Sequence, residues 1–392
     1  MLFLIATNRW LSWDIGGIKF LAAVDTYAYQ EIATFAPLLP PEHQLAFHHA
    51  QRFAVPYLVG IIAKATNTSV PSTFSVAIAI CVFSIILLVH RCLLKLNLSP
   101  WNYILCIALL ILNPYTFRYY LIARGILPDL VFVVGLTVTL LGLIEKRFLI
   151  VIVGIICAAS GRQTAVVLIP GLSLWLVAGQ QGKHHPINHK ISKVLISVAL
   201  TIIIYIVTGR IASSFAFPSH NAQHLSGLIA WFFSKDFTVT KAVEHILRIA
   251  IPVLIPLGIV FGICLAQRVQ SRKFCYIPIE FWASLLMAAG IAVQPLLAGP
   301  EITGQNGSRL SALGFVPILI SLAFLLKHQD LFAQLNHQFC WKLLFAAILI
   351  ISSFHHLYTV IGPRSSIQFA VLQITSAIVA MTATYLVVRA DS

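Results

Sequence analysis

Apolar runs of about 20 residues, the length needed to cross a bilayer, recur from Ser72 almost to the C-terminus of this chain. Few other features restrict a fold so severely. In lipid every backbone donor and acceptor must be satisfied internally, which leaves helices or a closed barrel. The short alternating segments of a barrel are missing, so the expectation is an all-α polytopic protein. Composition agrees: 59% of the 392 residues are hydrophobic and 10% are charged, against about 25% charged in soluble domains. Spans are expected at 72–94, 101–117, 127–144, 148–160, 163–178, 194–212, 246–266, 279–298, 310–326, 341–360 and 367–388. This gives about 11–12 transmembrane helices if the interrupted segment Met1–Ala23 is included. That segment carries Asn8, Arg9, Asp14 and Lys19, which makes it a poor span and a poor signal peptide. The short 148–160 and 163–178 pieces could form one hairpin bent at Gly161.

The formal net charge is +14, from 26 Lys and Arg against 12 Asp and Glu. The bases are scattered between apolar runs, so topology and anionic headgroups explain them, and nucleic acid is not an expected partner. Arg91, Lys95, Lys146, Arg147, Lys183, Lys190, Lys193, Arg268, Arg272, Lys273, Lys327, Lys342 and Arg389 fall on one side if the spans alternate. That side is expected to be cytoplasmic. The seven cysteines form no CxxC pair and indicate neither a disulfide framework nor a zinc site.

The whole chain, 1–392, reads as a single membrane domain with two long extracytoplasmic connections, 24–70 and 213–245. The first holds the Pro-rich "PLLPPEHQ" and then "RFAVPYLVGIIA", too short to cross, which suggests an interfacial helix. The second holds "LSGLIAWFF", where Trp231, Phe232 and Phe233 are expected to anchor the interface.

Ionisable groups at membrane depth are costly and therefore suggest function. On the outer side the sequence offers Asp25, Arg52, Arg124, Asp129, Arg162, Glu301 and Arg309, besides Glu31, Glu42, Arg118 and Arg364. An arginine fork suits phosphate, and a carboxylate beside it suits a base or a divalent cation. Each residue also has a plainer explanation. Asp25 could cap an interfacial helix, Arg52 could snorkel to the interface, and Asp129, after a proline, could complement a helix dipole. Arg162 lies between two short apolar segments, where a solvated loop base is not expected. His48 and Arg52 share a helical face, but a metal site wants more ligands than His43, His48 and His49 provide. Tyr27 and Tyr29 could stack on a sugar or anchor the interface, and the anchor is the expectation.

In chain order these residues lie in "DTYAY", "QRFAVPYLVG", "RGILPDLVFVVGL", "SGRQTAVVLIP" and "GSRLSALGFVP". The series resembles the C-type glycosyltransferase superfamily (GT-C), in its small bacterial branch without a soluble domain. It runs from about Asp25 to Pro317. The resemblance implies an enzyme that moves a sugar from a polyprenyl-phosphate donor to a glycan or lipid acceptor on the extracytoplasmic face. The setting implied is the bacterial inner membrane, as part of cell-envelope synthesis. It also implies a catalytic role for Asp25, with Arg52, Arg162 and Arg309 binding the donor phosphate and Arg124, Asp129 and Glu301 as additional candidates. A divalent cation, Mg or Mn, would bind at Asp25 if one is used. The pattern departs from the family in its broken first span and in lacking a second acid beside Asp25. Two other functions use similar residues: a flippase or secondary transporter of lipid-linked glycans, and a polysaccharide polymerase or ligase.

Overall fold

The computed structural model describes residues 18–41, 45–113, 115–179, 186–217, 227–271, 277–303, 306–327, 338–353 and 366–390. The protein is an all-α polytopic membrane protein. Among the described residues six helices are long and apolar enough to cross a membrane: Val70–Leu96, Leu127–Ile144, Ile187–Ala212, Val239–Val269, Ile279–Pro300 and Ala370–Arg389. Six shorter apolar helices accompany them. Among the described residues the only extended pairing is an isolated bridge between Leu45 and Ala216.

The described elements begin with α1 (Ile18–Phe35), a short turn α2 (Phe47–Ala50) and α3 (Ala54–Ala65). The long helix α4 (Val70–Leu96) follows, then α5 (Pro100–Leu112) and the short α6 (Arg118–Ile122). Next come α7 (Leu127–Ile144), α8 (Phe148–Gly161), a 3₁₀ turn (Gln163–Leu168) and α9 (Ile169–Ala178). Then follow α10 (Ile187–Ala212), α11 (Gly227–Phe232), α12 (Val239–Ala250) and α13 (Leu254–Ser271). The chain closes with α14 (Ile279–Thr303), α15 (Gly307–Ala312), α16 (Phe315–Leu326), α17 (Gln338–Ser353) and α18 (Ser366–Ala390).

The most intimate pairing joins α7 to α8, and α7 also packs on α4. Together they form the heart of the buried core with α16, in which every residue is buried. Small residues make the α7–α8 approach possible. A Cβ at Gly135 would sit 2.2 Å from the Ala158 backbone nitrogen, so the helices touch backbone to backbone there. Exposed apolar side chains such as Val76, Ile80, Phe83 and Leu87 line the outer face of α4, as lipid requires.

Several expectations change at the helix ends. The 310–326 span divides into α15 and α16 at Leu313–Gly314, so Arg309 lies on its own short helix. The 246–266 span begins earlier, as amphipathic α12, and passes through a 3₁₀ turn at Ile251–Val253 into α13. The 101–117 span stops at Leu112, and the 279–298 span extends to Thr303 across a break at Gly299. The 148–160 and 163–178 pieces separate at Arg162, whose backbone is extended. Trp231 is buried rather than interfacial, although Phe232 and Phe233 are exposed as expected. Residues 1–17, Glu42, His43, Lys183, Arg272, Lys273 and Arg364 lie outside the described residues.

Candidate functional site

Helix α1 carries Asp25 about two turns past its first residue, so the side chain does not cap a helix start. Instead it faces the protein. Its Oδ1 lies 2.8 Å from Nε2 of His49, and its Oδ2 accepts from Arg309 Nη1 at 2.6 Å. Burial by itself raises this carboxyl's pKa, but Arg309 and His49 outweigh burial and hold it well below the usual carboxylate range.

Arg309 joins Asp25 to a second acid. Its Nε approaches Asp129 Oδ2 at 3.6 Å, and its guanidinium lies 5.5 Å from the Tyr119 ring centroid. Asp129 stands in the first turn of α7, where the helix dipole favours it, and is fully buried. Its Oδ1 accepts from Arg162 Nη1, across the end of the α7–α8 pair. Dipole placement and ion pairing thus coincide in this residue. Gly161 makes the juxtaposition possible: a Cβ there would lie 2.6 Å from the Phe132 nitrogen, so only glycine lets α8 end this close to α7. Gly125 has the same part on the other side, where a Cβ would lie 2.4 Å from the Thr26 Cα.

Arg52 does not snorkel outward. It is buried, with Nη1 donating to the Tyr29 hydroxyl at 2.8 Å and Nε to Gln163 Oε1 at 3.3 Å. Both partners are neutral. Three arginines and two aspartates therefore meet in one buried cluster with a surplus of one positive charge, and Arg52 has no direct carboxylate partner among the described residues. Three buried polar atoms of the cluster also lack hydrogen-bond partners among the described residues: the Tyr120 hydroxyl, Asp129 Oδ2 and Arg309 Nε. Asp25 is its most exposed ionic member, with 13% of its side chain accessible, and so lies at its mouth.

Of the residues expected from sequence, Asp25, Arg52, Asp129, Arg162 and Arg309 converge here. Arg124 does not: it is exposed and bonds to Ser75 on α4. The side chain of Glu301 lies outside the described residues, although its backbone is in α14. Tyr29 is fully buried rather than an interface anchor, whereas Tyr27 is 70% exposed. Sequence reasoning does not single out Tyr119, Tyr120 and Gln163; it weighs Tyr29 for sugar stacking or anchoring and His49 only as one of three histidines too few for a metal, not as a partner of Arg52 or Asp25. The i, i+4 relation of Asp25 to Tyr29 is a signal that could have found Tyr29.

The cluster does not fit a divalent cation. No group of three His, Cys, Asp or Glu occurs among the described residues in metal-binding arrangement. Both Asp25 oxygens are already engaged, one by a guanidinium, and three arginines would repel a cation. No protein-family model, no curated protein and no solved structure matches the chain.

Proposed function

We propose that the protein is a glycosyltransferase that moves a sugar from a polyprenyl-phosphate donor to a glycan or lipid acceptor at the end of the bundle where Asp25 lies. The observation that carries this reading is the buried guanidinium of Arg52, which has no carboxylate partner among the described residues, within a cluster whose described charges sum to a positive surplus. Burying a charge without a counter-ion is costly, so the site is built for an anion. The bilayer supplies the donor's lipid, and a phosphate monoester or diester at the headgroup supplies the anion. Under this reading the site faces outward from a bacterial inner membrane.

The residues divide the work. Arg162 is held by Asp129 and positions the end of α8, while Arg52 and Arg309 can turn a fork of donors to phosphate. The phosphate competes with Asp25 for Arg309. As Arg309 turns to it, Asp25 loses its strongest neutralising partner and becomes a better proton acceptor. His49 keeps hold of Oδ1 and so fixes the carboxylate. The acceptor hydroxyl then gives its proton to Asp25 while its oxygen bonds the anomeric carbon. The bond from that carbon to the phosphate oxygen breaks, and its electron pair leaves with the phosphate. Arg52 and Arg309 stabilise the charge that develops there. No step requires a metal ion.

The test is sugar transfer from a radiolabelled polyprenyl-phosphate sugar in purified membranes, with expression level matched. Asp25→Asn keeps shape and removes charge, and it should abolish nearly all transfer. Full activity in that variant would overturn the assignment and favour a transporter of lipid-linked glycans.

A further inference from the structure

Helix α7 runs from Asp129, in the buried cluster, to the opposite end of the bundle, and there the fold gathers bases that the sequence spreads from position 91 to position 193. Arg91 and Lys95, one turn apart near the end of α4, are exposed. Arg91 reaches the α7–α8 turn, where its Nε and Nη2 each lie 2.7 Å from Glu145 Oε1. In that turn Lys146 and Arg147 are exposed, and Arg147 Nη1 stands 3.9 Å from Glu145 Oε2. Lys193, in the second turn of α10, places its Nζ 5.6 Å from the centroid of the Phe148 ring.

This patch is positive by a wide margin. The end of α4, the α7–α8 turn, the start of α10 and the connections 97–99 and 179–186 hold no acid besides Glu145. Asp330, in the connection after α16, lies outside the described residues; counted against the patch, it still leaves three positive charges in excess. Glu145 is only 5% exposed, whereas Arg91 and Arg147 are 53% and 67% exposed, so the carboxylate lies beneath and the cations face outward. Lys146 closes α7 with φ at +62°, a left-handed conformation that favours glycine, so the turn itself gives no reason for a lysine there. Apolar side chains stand among the bases: Leu94, Leu149 and Leu195 are 55%, 77% and 61% exposed. The bases therefore occupy the rim of a surface that lipid covers, where an anion arrives as a headgroup rather than as a solute.

We infer that this patch binds the phosphate of an anionic phospholipid, held between Arg91 and Arg147 with Lys146 and Lys193 beside them. A guanidinium carries five donors, and Arg91 commits Nε and Nη2 to Glu145, which leaves its Nη1 edge for a second acceptor. Arg147 is still less engaged and more exposed. The phosphate therefore adds to the Glu145 pairing and need not break it. Leu149 and Leu195 offer apolar surface to the acyl chains just below the headgroup. The inference does not depend on the transferase reading, because it concerns only the end of the bundle away from Asp25.

The test uses the full chain in nanodiscs of equal phosphatidylcholine and phosphatidylglycerol, with native mass spectrometry of the released protein to count the lipids it keeps. Phosphatidylglycerol should be kept in preference, and that preference should fall about fivefold or more in the double variant Lys146→Gly, Arg147→Ala. Glycine suits the left-handed position, so Lys146→Gly alone serves as the second variant should the double one fail to fold, with a loss of about twofold. Lys64→Ala with Arg210→Ala removes the same charge from exposed positions at the other end, where Gly209 adjoins Gln51, and should leave the preference unchanged. A parent protein without preference, or a preference undiminished in the folded variant, would overturn the inference. So would an equal fall in the Lys64 and Arg210 control, which would assign the effect to net charge alone. Displacement of the lipid by soluble glycerol phosphate would also overturn it, since the patch would then be a site for a dissolved anion.

Discussion

The two ends of helix α7 carry the same kinds of residue in opposite conditions. At its start Asp129 is wholly buried against Arg162 and Arg309. At its other end, about 24 Å away, Glu145 meets Arg91 at 2.7 Å and Arg147 at 3.9 Å. Those two arginines are 53% and 67% exposed. Glu145 itself is only 5% exposed, so at this end the guanidinia can exchange their partner for water but the carboxylate cannot. At the Asp129 end both members are shielded, so each carboxylate and guanidinium must be matched by another group. The surplus guanidinium of Arg52 is the mismatch. The guanidinia are therefore free to keep their water at one end, while at the other both charges are confined and constrain folding and ligand choice.

The strongest way to break the contrast is to remove one buried partner. Asp129→Asn leaves Arg162 unpaired in the core and should cost about 3–5 kcal/mol, as for other broken buried pairs. Thermal unfolding in nanodiscs would read this, and an unchanged melting temperature would refute the buried pair's structural weight.

Next in size is a chemical effect. Asp25→Asn should lower sugar transfer by about 10²-fold, which is about 2.7 kcal/mol of barrier. Its melting temperature should fall too, but by less than in Asp129→Asn, because Arg309 keeps Asp129 and Asp25 is the more accessible acid. A proportional loss of stability would mean that Asp25 serves only the fold.

Gly161→Ala sharpens the geometry. Its methyl group meets the Phe132 backbone, and overpacking of this kind costs about 1–3 kcal/mol. Displacement of Arg162 from Asp129 should follow, so donor KM should rise along with the fall in melting temperature. A variant of unchanged stability would show that α8 can withdraw without penalty.

The smallest effect belongs to the Glu145 end. Arg91→Ala should cost about 1 kcal/mol, because Arg147 still faces the buried carboxylate it leaves, and should not change transfer. Raising salt should narrow that difference, since the guanidinia are exposed. A large loss of transfer would mean that the two ends communicate.

Part of this architecture is legible in the amino-acid sequence. The fold class follows from apolar length, and Asp25, Arg52, Asp129, Arg162 and Arg309 stand out as charges where charge is expensive. Arg124 stands out for the same reason, yet it faces outward to Ser75, because position in a sequence gives no side-chain direction. Asp25 reads as a helix cap only if the helix begins there; α1 in fact begins at Ile18. His49 is hidden in the sequence because its value lies in one bond to a residue 24 positions earlier.

What the sequence by itself determined is that this chain is helical and lies in a membrane, with a few ionisable groups the lipid would not tolerate alone. Apolar length and the cost of burying charge are local properties, so they can be read residue by residue. Tertiary structure decided which charges meet, which are left over and where the mouth of the cluster opens. Hydrogen bonds act over about 3 Å, yet Arg309 and Asp25 are 284 positions apart. Only the packing of α15 beside α1, with α7 and α8 held together by glycine, brings that pair within reach.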